Sequence, residues 1–243
     1  MYWGIDGCKG GWIALGFDQA DGYQVAYCEQ LSTFWAQYGA QAQRVLIDMP
    51  IGLADDIDGR LADEQARQVL GARRSSIFSV PTREAIAYGR THAFNREAYR
   101  EACAINRQVE GKAFSLQSWY ICPKIDELDQ LLVGDASRAQ IMLESHPEVL
   151  FWALNGGESM RYSKKSGLGF MERVRVLERL YPGAFALIST VFDAHQSVLV
   201  DDDVVDALVC ALVARAGELV AIPTHPKRDR YGLPMQIVHP PFT

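Results

Sequence analysis

The chain opens with three strand patterns that leave no room for a helix between them. The runs "YWGID" (2–6), "WIALGF" (12–17) and "YQVAYCEQ" (23–30) are rich in aromatic and aliphatic residues, with Gly-rich or Asp-Gly turns between them. Strands joined by such short connections are antiparallel, because a parallel pair needs a crossover of a dozen or more residues. The N-terminal segment therefore predicts a three-strand antiparallel meander.

A helical crossover then leads to a further strand. The segment "LSTFWAQYGAQA" (31–42) has apolar residues at helical spacing, and "RVLIDMP" (44–50) is a short β-branched run that stops at Pro50. A strand reached through a helix is most simply parallel to an earlier one.

The remaining periodicity completes the predicted fold. Helical patterns dominate from about 52 to 137, and the strand signal returns at 139–144. Further helical patterns follow, with candidate helices at 61–71, 94–111, 115–132, 148–155, 170–181 and from 201 onward. The prediction is an α/β fold with a mixed sheet, in which the meander is joined by parallel strands and helices cover both faces. We expect one domain over 1–243 with a helical insertion at about 52–137.

Composition narrows the class of protein. The 243 residues are 49% hydrophobic, enough for a sizeable core, and the five cysteines form no C-x-x-C pair. A reduced, cytoplasmic setting without disulfides or a zinc site is expected, and neither a secretory signal nor an apolar run of roughly 20 residues is evident. The net charge of -6 argues against a broad non-specific nucleic-acid footprint. A site that gathers carboxylates around cations nevertheless makes its own chain acidic.

Carboxylates recur where the predicted elements end. Asp6 ends the first strand, Asp48 ends the strand after the first helix and Glu144 ends the later strand, while Asp203 and Asp206 belong to the last helix. Open α/β sheets place their sites at the carboxyl ends of parallel strands. We expect these five acids to meet at one edge of the sheet.

Each acid also has a purely structural interpretation. A strand-end Asp commonly forms a turn, and Asp201 to Asp203 are suited to begin a helix. That interpretation is weaker for Asp206, because the apolar residues around it leave little polar face and a buried carboxylate without a cation is costly. The i, i+3 spacing puts Asp203 and Asp206 on one helix face. A converging set of acids predicts Mg²⁺ or Mn²⁺, and two such ions about 4 Å apart suit phosphoryl displacement, the chemistry of nucleases.

Seven stretches carry a resemblance to a known family. They are "GIDGCKGGW" (4–12), "IDMPIGL" (47–53), "ARRSSIFSVPTREA" (72–85), "KIDELD" (124–129), "ESHPEV" (144–149), "SKKSGLG" (163–169) and "DDDVVDAL" (201–208). The chain resembles the family called domain of unknown function 429, described as predicted nucleases of the ribonuclease H-like, RuvC-type fold. The resemblance implies a metal-dependent nuclease with Asp6, Asp48, Asp203 and Asp206 as catalytic metal ligands. Glu144 is added as a ligand from its strand position alone.

Six basic residues are candidates for binding a phosphate of the substrate. Each also has a structural alternative, as a solvated hairpin lysine, a surface ion-pair partner or a counter-ion of the acids. His146 is better explained as a hydrogen-bonded turn or core residue than as a base. The six candidates are Lys9, Arg73, Arg74, Arg83, Lys124 and Lys164.

Two other classes of function stay open. An actin-like phosphotransferase or ATPase shares the strand-end Asp, although no second glycine-rich phosphate hairpin is present, and a non-catalytic ribonuclease H-like binding module would use the acids as caps. P-loop, dinucleotide-binding, serine hydrolase and zincin motifs are all missing from the sequence. The expected partner is nucleic acid of a type that the sequence leaves open, no membrane is expected, and a homodimer is compatible with the RuvC-type resemblance.

Overall fold

The computed structural model describes residues 1–200 and 202–242. Within them, the strands are β1 (Tyr2–Cys8), β2 (Gly11–Phe17), β3 (Tyr23–Cys28), β4 (Arg44–Ile47), β5 (Met142–Glu144), β6 (Val220–Ile222) and β7 (Ile237–His239). The helices are α1 (Leu31–Tyr38), α2 (Leu61–Leu70), α3 (Arg83–His92), α4 (Tyr99–Glu110), α5 (Leu116–Val133), α6 (Pro147–Leu154), α7 (Gly167–Leu180), α8 (Ala184–His195) and α9 (Asp203–Arg215).

The central sheet is mixed and has the strand order β3-β2-β1-β4-β5. The first three strands pair antiparallel, which confirms the meander. Strand β4 pairs parallel with β1, and β5 pairs parallel with β4. The α/β class with a mixed sheet is therefore confirmed.

Alternation along the strands divides the core between two faces. Trp3 and Ile5 of β1 face a layer that includes α1 and α5, whereas Leu15 of β2 and Leu46 of β4 face α9 and its neighbours. Helices thus cover both faces of the sheet.

Helix α9 lies unusually close to β1 at Gly4. A Cβ atom at this position would collide with the backbone oxygen of Ala207 and the backbone nitrogen of Ala211. Only glycine allows this approach, and the approach brings the first turn of α9 next to the end of the β1–β4 pair.

Several predicted boundaries differ from the structure. Helices α3 and α8 were not predicted, and β5 is shorter than the predicted strand because residues Ala136–Gln140 form a 3-10 turn. The C-terminal segment, which follows α9, contains β6 and β7, and these form a separate antiparallel pair. None of the helices in the described part of the chain is long and apolar enough to span a membrane.

Candidate metal centre

Strand register places Asp6 and Asp48 side by side. The parallel pairing of β1 with β4 ends at Ile5 and Ile47, and the backbone nitrogen of Asp48 donates to the backbone oxygen of Ile5 at 2.9 Å. Each aspartate follows an isoleucine that faces the α5 layer, so each side chain turns to the α9 face. Asp206, in the first turn of α9, completes the group.

The three carboxylates converge. One oxygen from each of Asp6, Asp48 and Asp206 lies within 4.8 Å of the others, a spacing that could hold a metal ion. The Oδ1 atom of Asp6 accepts a hydrogen bond from the backbone nitrogen of Gly7 at 2.7 Å. The Oδ2 atom of Asp206 accepts one from Nζ of Lys164 at 2.6 Å.

One oxygen in this group lacks a partner. Asp206 is 1% exposed, and its Oδ1 atom has no hydrogen-bond partner among the described residues. A buried carboxylate oxygen without a donor is costly to the fold, and native structures pair most such atoms. Asp206 therefore provides a free ligand atom for a cation.

Burial raises the pKa of all three acids, and neighbouring carboxylates add to the shift. Burial is the main cause that raises the pKa of Asp6 well above its usual range, and the charges of Asp48 and Asp206 add to it. Burial likewise raises the pKa of Asp48 to about 7 and that of Asp206 to about 6, although Lys164 opposes both shifts. Clustered acids with raised pKa values are the environment that a bound cation relieves.

The other acids of the opening turn of α9 have different roles. Oδ2 of Asp203 accepts a hydrogen bond from the backbone nitrogen of Val200 at 2.8 Å, and burial raises the pKa of Asp203 to about 6. Its charge reaches Asp6, yet Asp203 is outside the group of converging oxygens found in the described chain. Asp202 pairs with Lys164 at 2.8 Å, and Asp201 lies outside the described residues.

Glu144 does not join the cluster, which corrects the expected meeting of five acids. It pairs in register with Ile47, so its side chain points to the opposite face of the sheet from Asp48. There Nη2 of Arg60 donates to both carboxylate oxygens at 2.6 and 2.7 Å, and the backbone nitrogen of Ile51 donates at 2.7 Å. Its carboxylate is already occupied by a buried ion pair.

Lys164 is the predicted cation that reaches the acids, where it bridges Asp202 and Asp206. Lys124 lies nearby, but its Nζ donates to the backbone oxygen of Gly11 and sits 4.5 Å from the ring centre of Trp12. Burial lowers the pKa of Lys124. It braces the β1–β2 hairpin, whereas Lys9, at the tip of that hairpin, is exposed to solvent.

The three arginines predicted to bind phosphate lie in different environments. Arg73 lines the cavity beside the acids, with its guanidinium bonded to the backbone oxygens of Met160 and Arg161. Arg74 is exposed. Arg83 is buried and forms ion pairs with Asp129 and Asp229, so its role in the structure is to hold the C-terminal segment and not to face the cavity.

A cavity of about 380 Å³ opens over Asp6 and Asp48. It includes polar residues that were not predicted as site residues, although most of them belong to the quoted stretches at 72–85, 144–149 and 163–169. These residues are Ser75, Ser76, Gln117, His146, Glu148, Ser163 and Lys165. Hydroxyl, amide and ammonium donors thus line the same cavity as Asp6 and Asp48.

Two of these residues, His146 and Glu148, make further contacts within the protein. Nδ1 of His146 accepts a hydrogen bond from the backbone nitrogen of Glu148 at 3.2 Å, as expected for a helix cap, and burial lowers the pKa of His146. Glu148 is held by a buried pair with Arg173, whose Nε and Nη2 lie 2.9 and 2.6 Å from Oε1. Both side chains are therefore held by contacts within the protein.

Fold and site together define an α/β protein with a mixed five-strand sheet and a largely buried carboxylate cluster at the carboxyl ends of its inner parallel strands, β1 and β4. The family model described as "Protein of unknown function (DUF429)" matches residues 4–228, and the chain belongs to this family. No match was found among the curated proteins or among the solved structures.

Proposed function

We propose that this chain is a divalent-metal-dependent nuclease, or a related phosphodiesterase, with a ribonuclease H-like fold. The strand order supports the fold assignment, because an antiparallel meander joined by two parallel strands is the sheet that the resemblance implies. Helices on both faces agree with the same assignment.

The observation that carries the proposal is the convergence of Asp6, Asp48 and Asp206, together with an Oδ1 atom of Asp206 that is buried and has no hydrogen-bond partner in the described part of the chain. Mg²⁺ and Mn²⁺ prefer oxygen ligands, and a cluster that contributes only carboxylates fits them. These three residues would hold the cation. A bound divalent cation neutralises developing charge on a phosphoryl oxygen and makes water a stronger nucleophile.

The chain's own residues would bind and orient the phosphodiester. The cavity volume of about 380 Å³ lies within the usual range for small-ligand sites, roughly 300–1,000 Å³. Ser75, Ser76 and Lys165 place donors on its wall, and Lys164 supplies positive charge beside Asp206. A phosphate entering this cavity would meet both these donors and the acids.

Cleavage of a panel of labelled substrates tests the proposal. Single-stranded DNA, duplex DNA, an RNA-DNA hybrid and a branched junction are incubated with Mg²⁺ or Mn²⁺, alongside the variants Asp6→Asn and Asp48→Asn. We expect metal-dependent cutting by the native chain and a loss of at least about 100-fold in each variant, because charge neutralisation by a metal contributes several kcal/mol.

Glu101→Gln provides a matched control, because it also changes an acid to an amide but lies exposed on α4. It should cut like the native chain. Equal cutting by native and Asp6→Asn proteins would contradict the proposal. ATP turnover without cleavage would instead favour the actin-like alternative, and metal binding without any turnover would favour the binding module.

A further inference from the structure

A second cavity adjoins the candidate site. It has a volume of about 970 Å³ and lies between α7, α8 and the segment that leads into α9. Its lining includes Phe170, Phe185, Ile188 and Phe192. We call this cavity the phenylalanine groove.

The groove exposes apolar surface chiefly at Phe185, whereas Phe170 and Phe192 are partly buried against the core. Phe185 is 53% exposed, although it is one of the largest apolar side chains on α8. Contiguous apolar surface in a concave setting is typical of binding sites. Three phenylalanine rings offer faces and edges that suit another flat aromatic ring.

The groove is continuous with the acid cluster. Lys164 and Lys165 line both cavities, and Nζ of Lys164 lies 2.6 Å from Asp206. One end of the apolar groove carries these two lysines together with Asp202 and Asp203, with Lys164 paired to Asp202, and borders the proposed phosphodiester site. Lysine donors beside an aromatic wall match a nucleotide, in which a phosphate adjoins a flat base.

We propose that the phenylalanine groove binds an unpaired nucleobase that neighbours the phosphate held at the acid cluster, so that the substrate is single-stranded nucleic acid or a single-stranded segment. This inference rests on the proposed function and names its substrate class. Bases within a duplex are stacked and cannot enter a lateral groove, whereas unpaired bases stack readily on aromatic side chains.

Binding of fluorescein-labelled 12-mer oligodeoxynucleotides tests the inference, with Ca²⁺ replacing Mg²⁺ and anisotropy as the readout. Three probes are compared: a single strand, its duplex, and a strand with abasic sites at its centre. We expect Phe185→Ala to weaken binding of the single strand by about 10-fold and to leave binding of the abasic strand unchanged, because stacking on aromatic rings is lost. The duplex should bind more weakly than the single strand.

Leu168→Ala is the matched control, because Leu168 is 63% exposed on the neighbouring α7 and should not alter binding of any probe. If Phe185→Ala binds the single strand as tightly as the native protein does, and the abasic strand likewise, the inference is overturned. A native dimer that Phe185→Ala converts to a monomer in sedimentation, with unchanged binding of the strands, would assign the groove to contacts between copies and would also overturn it.

Mn²⁺ titration and cleavage by the same proteins separate this inference from the proposed function. If the native protein binds Mn²⁺ and cleaves, but binds the abasic strand as tightly as the single strand, only the groove inference fails. Base-dependent binding without Mn²⁺ binding or cleavage would remove the proposed function.

Discussion

Asp48→Asn should stabilise the metal-free protein at alkaline pH while it removes the stabilisation by metal. The pKa of Asp48 rises from an ordinary value of 3.8 to about 7, with burial as the largest cause. A carboxyl group whose folded pKa is raised stabilises the fold fully below its unfolded pKa, and this contribution is lost as the pH rises through the folded pKa. The native protein should therefore lose stability between about pH 4 and pH 8, because Asp48 must ionise inside the fold.

The size of the effect follows from the shift. A shift of about three pKa units corresponds to on the order of 4 kcal/mol between the charged and neutral forms. Asparagine keeps the shape and lacks the charge, so we expect Asp48→Asn to be more stable than the native chain by about 2–4 kcal/mol at pH 8 in EDTA. The difference should shrink to about 1–2 kcal/mol at pH 5, where Asp48 is protonated in the folded state but largely ionised in the unfolded chain, and should nearly vanish only below about pH 4.

Urea unfolding in EDTA and in Mn²⁺, at pH 5 and pH 8, measures both effects. Mn²⁺ should stabilise the native chain strongly and Asp48→Asn weakly, because binding to the folded state alone shifts unfolding by mass action. An Asp48→Asn protein that is less stable than the native chain at pH 8 in EDTA, or that gains equally from Mn²⁺, would refute the reasoning.

Glu144→Gln is the informative comparison, because it also neutralises a buried carboxyl group whose pKa is raised to about 7. It removes one of the two carboxylates that pair with the buried Arg60 and leaves Asp63 as the other. We expect a loss of about 3–5 kcal/mol, the usual result of removing one partner of a buried pair. The two substitutions should therefore change stability in opposite directions.

Three further predictions concern the scaffold. Gly4→Ala should lower the urea midpoint by the equivalent of about 3 kcal/mol or more, because the added Cβ meets the α9 backbone. Gly167→Ala is the control and should change the midpoint little, because the space around Gly167 is open. Equal midpoints for the two variants would contradict the close approach of α9 to β1. Arg83→Met should cost about 3–5 kcal/mol and expose the C-terminal segment to limited proteolysis, because two buried carboxylates lose their partner; unchanged proteolysis would contradict this anchoring role. Lys164→Met should raise the pKa of Asp206 further and destabilise the metal-free protein above about pH 6. Urea unfolding in EDTA at several pH values measures this effect. A stability difference between the two proteins that does not change with pH would contradict the pairing of Lys164 with ionised Asp206.

The core of the sheet was predictable because its signals are local. Runs of β-branched and aromatic residues gave the meander, and the helical crossover gave the parallel strand before Asp48. Once β1 and β4 are parallel neighbours, Asp6 and Asp48 must lie close together. The apolar surroundings of Asp206 in the sequence correctly indicated a buried acid.

Glu144 shows where such reasoning fails. Its position at a strand end was right, but the face it presents depends on register, and a difference of one residue moves a side chain to the other side of the sheet. The residues of β5 alone do not specify its register against β4. Arg60, its partner, lies 84 residues away in sequence.

Arg83 was misassigned for a related reason. Its partner Asp229 lies 146 residues away in sequence. Nearby, Lys227 pairs with Asp56 and Asp58, so ion pairs fasten this C-terminal segment to the loop after β4. Long-range ion pairs of this kind depend on the finished fold.

Location of Mn²⁺ by anomalous diffraction from crystals soaked in the ion tests the central claim most directly. We expect an anomalous peak bounded by Asp6, Asp48 and Asp206, with Oδ1 of Asp206 among the ligands of the ion, and no such peak in Asp206→Asn crystals. An ordered ion elsewhere, or a cluster that stays empty while Lys164 keeps its contact with Asp206, would contradict it.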